Sequence, residues 1–408
     1  MDKLNKKILP AAFFISLVLR FGFLFAAGDR LRVAEMEDAR DYQALADSLR
    51  AGRGFCGQDG QPTEIRAPGY PLFLAAVNGV FGPGDLPVRS IQALLDSASV
   101  VLIMLIAGMF FGPGVALLAG ALMAVYPPLV LYSVLKLGES LFTFLFCVLC
   151  YLLVKGINEK RNGCFYAAGA VQGVAGLVRS TPALLPFFLF AYLFVSRSIK
   201  PLIKGFLVYF LVSTSIMAVW TVRNYRVFDM FIPVNVGSGH LLWLTVQDDA
   251  WDGDRLVTMW PSREYKDLEN VPRRVWEKEV TKRVFSQAAA HPLVYSKKFA
   301  RNFVRLWTLP VGKVMLEKYS ENLAEAYKAA HIALMLLALY GVLTSVRNVP
   351  SIMPLLLFLI YLAVMHTLFI AVPRYRLPFE PFILIFLAKG LTEAGKGVRS
   401  LFFRPGIK

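Results

Sequence analysis

The stretch Gly69-Tyr70-Pro71-Leu72-Phe73-Leu74-Ala75-Ala76-Val77-Asn78-Gly79-Val80-Phe81-Gly82 is apolar but short, and it carries Pro71, Asn78 and Gly79 between bracketing glycines. Whether it crosses a bilayer fixes the path of everything after it. A helix needs about 20 mostly apolar residues to span the hydrocarbon core. If 69–82 crossed, the loop Lys155–Gly163, with Lys160 and Arg161, would fall outside. That opposes the excess of Lys and Arg found in short cytoplasmic loops. Laid along the interface as an amphipathic helix, the stretch leaves every later basic loop inside.

Other apolar runs lie near 8–27, 90–111, 113–134, 139–155, 164–178, 181–195, 202–221, 328–346, 351–372 and 377–390. The sequence therefore predicts an all-α polytopic membrane protein with about ten transmembrane helices and both termini cytoplasmic. Amphipathic interfacial helices are expected in the first outer loop and in an extracytoplasmic segment. Residues 1–222 form an N-terminal transmembrane module whose first outer loop is 28–89. Residues 223–327 form the extracytoplasmic segment, and 328–408 the last transmembrane helices with a basic tail.

Composition agrees. Of 408 residues 56% are hydrophobic and 18% charged, with a mean hydropathy of +0.54; a soluble domain carries about 25% charged residues. The net charge of +16 does not indicate nucleic acid, because the segments assigned to the cytoplasm hold fifteen basic residues against three acids, or +12 of it. The N-terminal run exceeds the 7–15 residues of a signal-peptide core and contains Arg20, so it reads as a retained first helix. Cys147 and Cys150 form a CxxC inside an apolar run with no second pair, and Cys56 and Cys164 are scattered, so neither a metal site nor a disulfide framework follows.

This path gathers charge on the outer side. Glu37, Asp38 and Asp41 sit there with Tyr42, and carboxylates at a bilayer surface are costly to dehydrate, which marks them as a functional site. The turn around Lys136, Gly138 and Glu139, the turn Arg179-Ser180-Thr181-Pro182, and Pro373-Arg374-Tyr375-Arg376-Leu377-Pro378 face the same side. From Pro272 to Leu309 basic residues alternate with aromatics. Such helices either pack on the membrane surface or hold an anionic lipid phosphate.

Several outer stretches follow in order: Asp38-Ala39-Arg40-Asp41-Tyr42, Gly52-Arg53-Gly54-Phe55, and Pro62 to Ala75 with Glu64, Arg66, Pro68 and Tyr70. Then come Tyr126-Pro127, Tyr132-Ser133, Glu139-Ser140, Gly176-Leu177-Val178-Arg179, Arg223-Asn224-Tyr225 and Arg374-Tyr375-Arg376. Together, over roughly 10–390, they resemble the membrane glycosyltransferases of the GT-C fold. The nearest branch is that of bacterial relatives of protein O-mannosyltransferases and of the lipid A aminoarabinose transferase (glycosyltransferase family 39-like). The resemblance implies a hexosyl- or pentosyltransferase in a bacterial inner membrane, its active site extracytoplasmic. It would take a sugar from a polyprenyl-phosphate carrier and give it to a lipid, glycan or protein acceptor.

The family's first outer loop carries an acid in a pattern like Asp-Glu-x-x-Tyr. Asp38 and Tyr42 match it, but Ala39 replaces the second acid, which leaves Glu37 or Asp41 to supply that carboxylate. The resemblance makes Asp38 the general base; the residues alone equally allow Asp38 as a helix cap and Asp41 as a helix N-terminal charge. The chemistry asks for a base at the attacking hydroxyl or amine, typically worth about 10²–10⁴ in rate, and for cations at the departing phosphate, where the arginine fork binds two oxygens. Arg374 and Arg376 lead that set, with Arg66, Arg179 and Arg223; Tyr42, Tyr70, Tyr375 and His240 complete the substrate-binding residues. Glu139 either orients the acceptor or pairs with Lys136 one turn away. His240, His291, His331 and His366 are scattered, so no metal site is expected and a divalent cation has no sequence support. Arg20 and Asp96 lie within spans and need polar partners. A lipid-linked saccharide flippase is the alternative function; it would place more charge deep in two related halves, and no internal repeat is visible here.

Overall fold

The computed structural model describes residues 7–28, 37–247, 251–252, 255–256, 268, 271–310, 317, 320–346, 349–369 and 371–402. Among the described residues each apolar run is mostly helical. Five helices among the described residues are long and apolar enough to cross a membrane: α1 (Ile8–Ala27), α4 (Asp85–Phe111), α7 (Glu139–Asn158), α10 (Ile199–Phe228) and α14 (Glu321–Thr344). The run expected as a single span over 113–134 is instead a bent pair, α5 (Pro113–Val125) and α6 (Pro127–Ser133), turned by 57°. Pro127 and Pro128 explain the break. Neither supplies a backbone N–H, and the residue before a proline avoids the helical region; Tyr126 is extended at φ −65°, ψ 113°. Counting the pair as one crossing gives six by length and composition. The remaining runs form α8 (Asn162–Val178), α9 (Leu185–Val195), α15 (Val349–Leu368) and α17 (Glu380–Phe402).

The 69–82 stretch is α3 (Gly69–Phe81). Tyr70, Leu74 and Val77 are buried while Leu72, Val80 and Phe81 are exposed, the one-sided pattern of an interfacial helix. It lies beside α2 (Glu37–Arg50), which carries the acidic cluster. Its first residue must be small: a Cβ on Gly69 would stand 2.7 Å from the Val178 backbone nitrogen, next to Arg179. Close packing continues below, where a Cβ on Gly173 of α8 would stand 2.7 Å from Ile216 of α10, the small-residue contact typical of membrane helices.

Arg20 of α1 and Asp96 of α4 pair inside the apolar layer, with Arg20 Nε donating to Asp96 Oδ2 at 2.5 Å and Nη1 to the Ala124 carbonyl at 3.3 Å. Both are buried, so the pair satisfies each charge internally. The four cysteines are free.

Beyond the main helical core α11 (Ser238–Val246), α12 (Arg273–Ala290) and α13 (Pro292–Thr308) build a second core from Trp243, Trp276, Val280, Val284 and Tyr295. A two-residue hairpin, Trp251–Asp252 with Arg255–Leu256, is the strand pair among the described residues. Glu277 accepts from the backbone nitrogens of Gly237 and Gly239 at 2.8 and 3.1 Å and so holds the start of α11. Phe369, Val372 and Tyr375 pack against this core, which braces the turn that carries Arg374.

Candidate active site

Asp38, Asp41 and Tyr42 fall at i, i+3 and i+4 of α2, a spacing that puts them on one helical face. Ala39 and Ala46 face the core instead. A carboxylate at position 39 would therefore be buried among apolar side chains, which explains locally why this chain carries alanine there.

Arg374, in the short helix α16 (Pro373–Arg376), donates Nη1 to Asp38 Oδ2 at 2.7 Å and Nε to Glu139 Oε1 at 2.5 Å. One guanidinium thus joins an acid of the first outer loop to an acid at the start of α7. Arg66 closes the other side, with Nη2 2.7 Å from both Asp38 Oδ1 and Asp41 Oδ2. Arg179 Nη2 stands 3.5 Å from Glu139 Oε1, and its guanidinium lies over the Tyr375 ring at 5.1 Å. Side-chain exposure rises from 1% at Glu139 through 12% at Arg374 to 26% at Asp38, so the cluster opens toward Asp38. Glu139 Oε2 is buried without a hydrogen-bond partner among the described residues. Lys136 binds Asp85 at 2.7 Å rather than Glu139.

These contacts set the electrostatics. Burial, the largest influence on Asp38, would raise its pKa, but Arg374 and then Arg66 outweigh it and hold the carboxyl below its ordinary value of 3.8. Burial would lower Arg374, yet Glu139 and Asp38 keep it firmly protonated. The Tyr42 hydroxyl is pushed up to about 12 by burial and by the neighbouring Asp38 and Glu139 charges. Its ring packs edge-on against Tyr70 at 5.0 Å and beneath Arg66 at 5.6 Å.

The remaining expected residues separate from this cluster. Arg376 is fully buried and donates to Glu380 Oε1 at 2.7 Å, to the Leu306 carbonyl and toward His331 Nε2 at 3.1 Å. Arg223 binds backbone carbonyls of the first outer loop. His240 packs against Trp243 and Trp276 in the second core, where burial and then Arg273 lower its pKa to about 3. The side chain of Glu37 lies outside the described residues. Among the described residues no group of three or more His, Cys, Asp or Glu is placed to hold a metal ion.

Sequence reasoning passed over Gln92. It is buried within α4, accepts the Tyr70 hydroxyl at 2.7 Å and donates to the Leu135 carbonyl at 2.6 Å, fixing the turn that leads to Glu139. A polar amide in an apolar run was the available signal.

Residues 65–223 match the family described as dolichyl-phosphate-mannose-protein mannosyltransferase. The whole chain superposes on the archaeal oligosaccharyltransferase AglB from Archaeoglobus fulgidus, in complex with an inhibitory peptide and a dolichol-phosphate, with a TM-score of 0.61 at 15% identity. The fold is GT-C. The apo form of the Archaeoglobus fulgidus oligosaccharyltransferase gives 0.59 at 14% identity, again over 100% of this chain. The GT-C chain spans about half of that relative, 53% and 54% of the two structures. ArnT from Cupriavidus metallidurans, bound to undecaprenyl phosphate, aligns over 97% of this chain and 78% of its own at 15% identity and a TM-score of 0.43. A search of curated proteins finds no match.

Proposed function

We propose that this GT-C protein transfers a sugar from a polyprenyl-phosphate carrier to an acceptor on the extracytoplasmic side of a bacterial inner membrane. The observation that carries the reading is Arg374 shared between Asp38 and Glu139, a cation of the kind that suits phosphate and two carboxylates within one hydrogen-bonded cluster. An acceptor hydroxyl or amine attacks the anomeric carbon, its proton passes to Asp38, and the bond from that carbon to the phosphate oxygen breaks. The leaving phosphate gains a negative charge as it departs. Arg374, with Arg66 and Arg179, meets that charge, and guanidinium forks suit it. Each carboxylate oxygen has two lone pairs, so Asp38 can bind its arginines and still accept a proton. The absence of a covalent nucleophile in the proposed step gives inversion at the anomeric carbon.

The test is transfer by wild-type protein in proteoliposomes supplied with radiolabelled undecaprenyl-phosphate sugars and cell-envelope acceptors. Label moving from the carrier to an acceptor supports the reading. Carrier translocated across the vesicle with no label transferred identifies a flippase and removes it.

A further inference from the structure

Arg223 is spent on the protein itself. Its Nη1 donates to the Thr63 carbonyl at 3.1 Å and to Asn224 Oδ1 at 3.0 Å, and its Nη2 donates to the Phe55 carbonyl at 3.2 Å. Its planar face meets Trp220 at 4.9 Å, Phe228 at 5.2 Å and Phe55 at 5.6 Å. Phe55 and Thr63 flank the neck of the first outer loop: Thr63 N donates to the Phe55 carbonyl at 3.2 Å, and an isolated bridge pairs Cys56 with Pro62. The fork therefore grips both strands of that neck. Two neighbours extend the grip, because Val236 N donates to the Glu64 carbonyl at 2.9 Å and Asn235 Nδ2 to that of Ile65 at 3.3 Å. Three consecutive carbonyls, 63 to 65, are held from the segment 223–236. The next residue is Arg66, whose side chain turns the other way to Asp38 and Asp41.

We propose that Arg223 is a positioning residue, which clamps the neck of the first outer loop to the end of α10 and thereby sets Arg66 against Asp38. The inference rests on the reading of Asp38 and Arg66 as part of the reacting centre. It assigns Arg223 no contact with substrate. Lysine cannot replace it, since a single ammonium neither spans two carbonyls as a fork nor stacks flat on Trp220. A reacting group misplaced by about 1 Å can cost on the order of 10²-fold in rate.

The experiment compares wild type with Arg223→Ala, Arg223→Lys, Arg66→Ala and the double variant Arg223→Ala/Arg66→Ala in detergent micelles and proteoliposomes. Hydrogen exchange over residues 53–66 should rise at least about tenfold in Arg223→Ala, with α4 and α7 unchanged, and to an intermediate level in Arg223→Lys. Sugar transfer should fall by roughly 10- to 100-fold in Arg223→Ala, and the double variant should be no slower than Arg66→Ala alone. Unchanged exchange over 53–66 overturns the clamp, and so do rate losses that multiply in the double variant. If Arg223→Ala does not fold, Arg223→Lys carries the test, and wild-type exchange and rate in that variant overturn the proposal. A full rate in Arg66→Ala, with exchange in Arg223→Ala still raised, removes the role given to Arg66 while the clamp stands.

Discussion

Arg374 and Arg376 stand two residues apart in one short turn and occupy opposite environments. Arg374 reaches across to acids on two other outer elements and keeps an open side toward Asp38. Arg376 is sealed among Glu380, His331 and the Leu306 carbonyl, while Glu380 also accepts from the Tyr126 hydroxyl at 3.3 Å. In a helical turn, residues two apart do not share a face, so one position meets the site and the other meets the protein interior. In the proposed mechanism the same residue type in the same motif serves chemistry at one position and helix anchoring at the other.

The difference is sharpest in Arg376→Ala set beside Arg374→Ala. Loss of Arg376 leaves the Glu380 charge buried and unpaired, an expected destabilisation of about 3–5 kcal/mol, read as a lower unfolding temperature and a lower yield of monodisperse protein. Arg374→Ala should fold, because Asp38 is partly open to water and keeps Arg66 while the buried Glu139 keeps Arg179, yet transfer should fall by about 10²–10³, as when one transition-state donor is removed. A well-folded but inactive Arg376→Ala would exchange the two roles and break the comparison.

The pH dependence sharpens the same contrast. Asp38 has a depressed pKa in the folded protein, so it contributes stability above its unfolded value and loses that contribution only as pH falls through the lower, folded one. The acid limb of the wild-type pH–rate profile should lie below 3.8, the ordinary value for this carboxyl. In Arg374→Ala burial is less opposed, and the limb measured on residual activity should move up; an unmoved limb would show that Arg374 does not govern Asp38.

A smaller effect concerns Tyr70, whose hydroxyl binds Gln92. Tyr70→Phe should cost about 1 kcal/mol, seen in thermal unfolding, with transfer reduced less than in Arg374→Ala. An effect confined to acidic pH belongs to His240. With a folded pKa of about 3 it stays neutral while the unfolded chain takes a proton below about 6.5. Stability should therefore decline gently as pH falls below 6.5, and His240→Gln should flatten that slope in melting curves.

Much of this was legible in the sequence. The apolar runs and the distribution of lysine and arginine gave helix positions, because length and hydropathy are local properties. The shortness of 69–82, with its proline and asparagine, set it apart from the spanning runs, and it forms the short helix α3 with one buried face. The Pro127-Pro128 break was present as a signal but was read through as one span. The sequence also put Asp38, Glu139 and Arg374 on one side of the membrane. It offered no way to separate Arg374 from Arg376, since the direction of each side chain depends on how the turn packs against α13 and α14. Arg223 lay beyond it for the same reason: its partners are backbone carbonyls, which leave no trace in residue identity.

In the proposed mechanism the Asp38 carboxylate is the base for sugar transfer at the cluster bridged by Arg374. Mass spectrometry of envelope lipids, glycans and proteins from cells making wild-type protein or Asp38→Asn, at matched levels of folded protein, tests it most directly. A sugar-mass increment present with wild type should disappear with Asp38→Asn. The same increment at undiminished abundance with Asp38→Asn would contradict it.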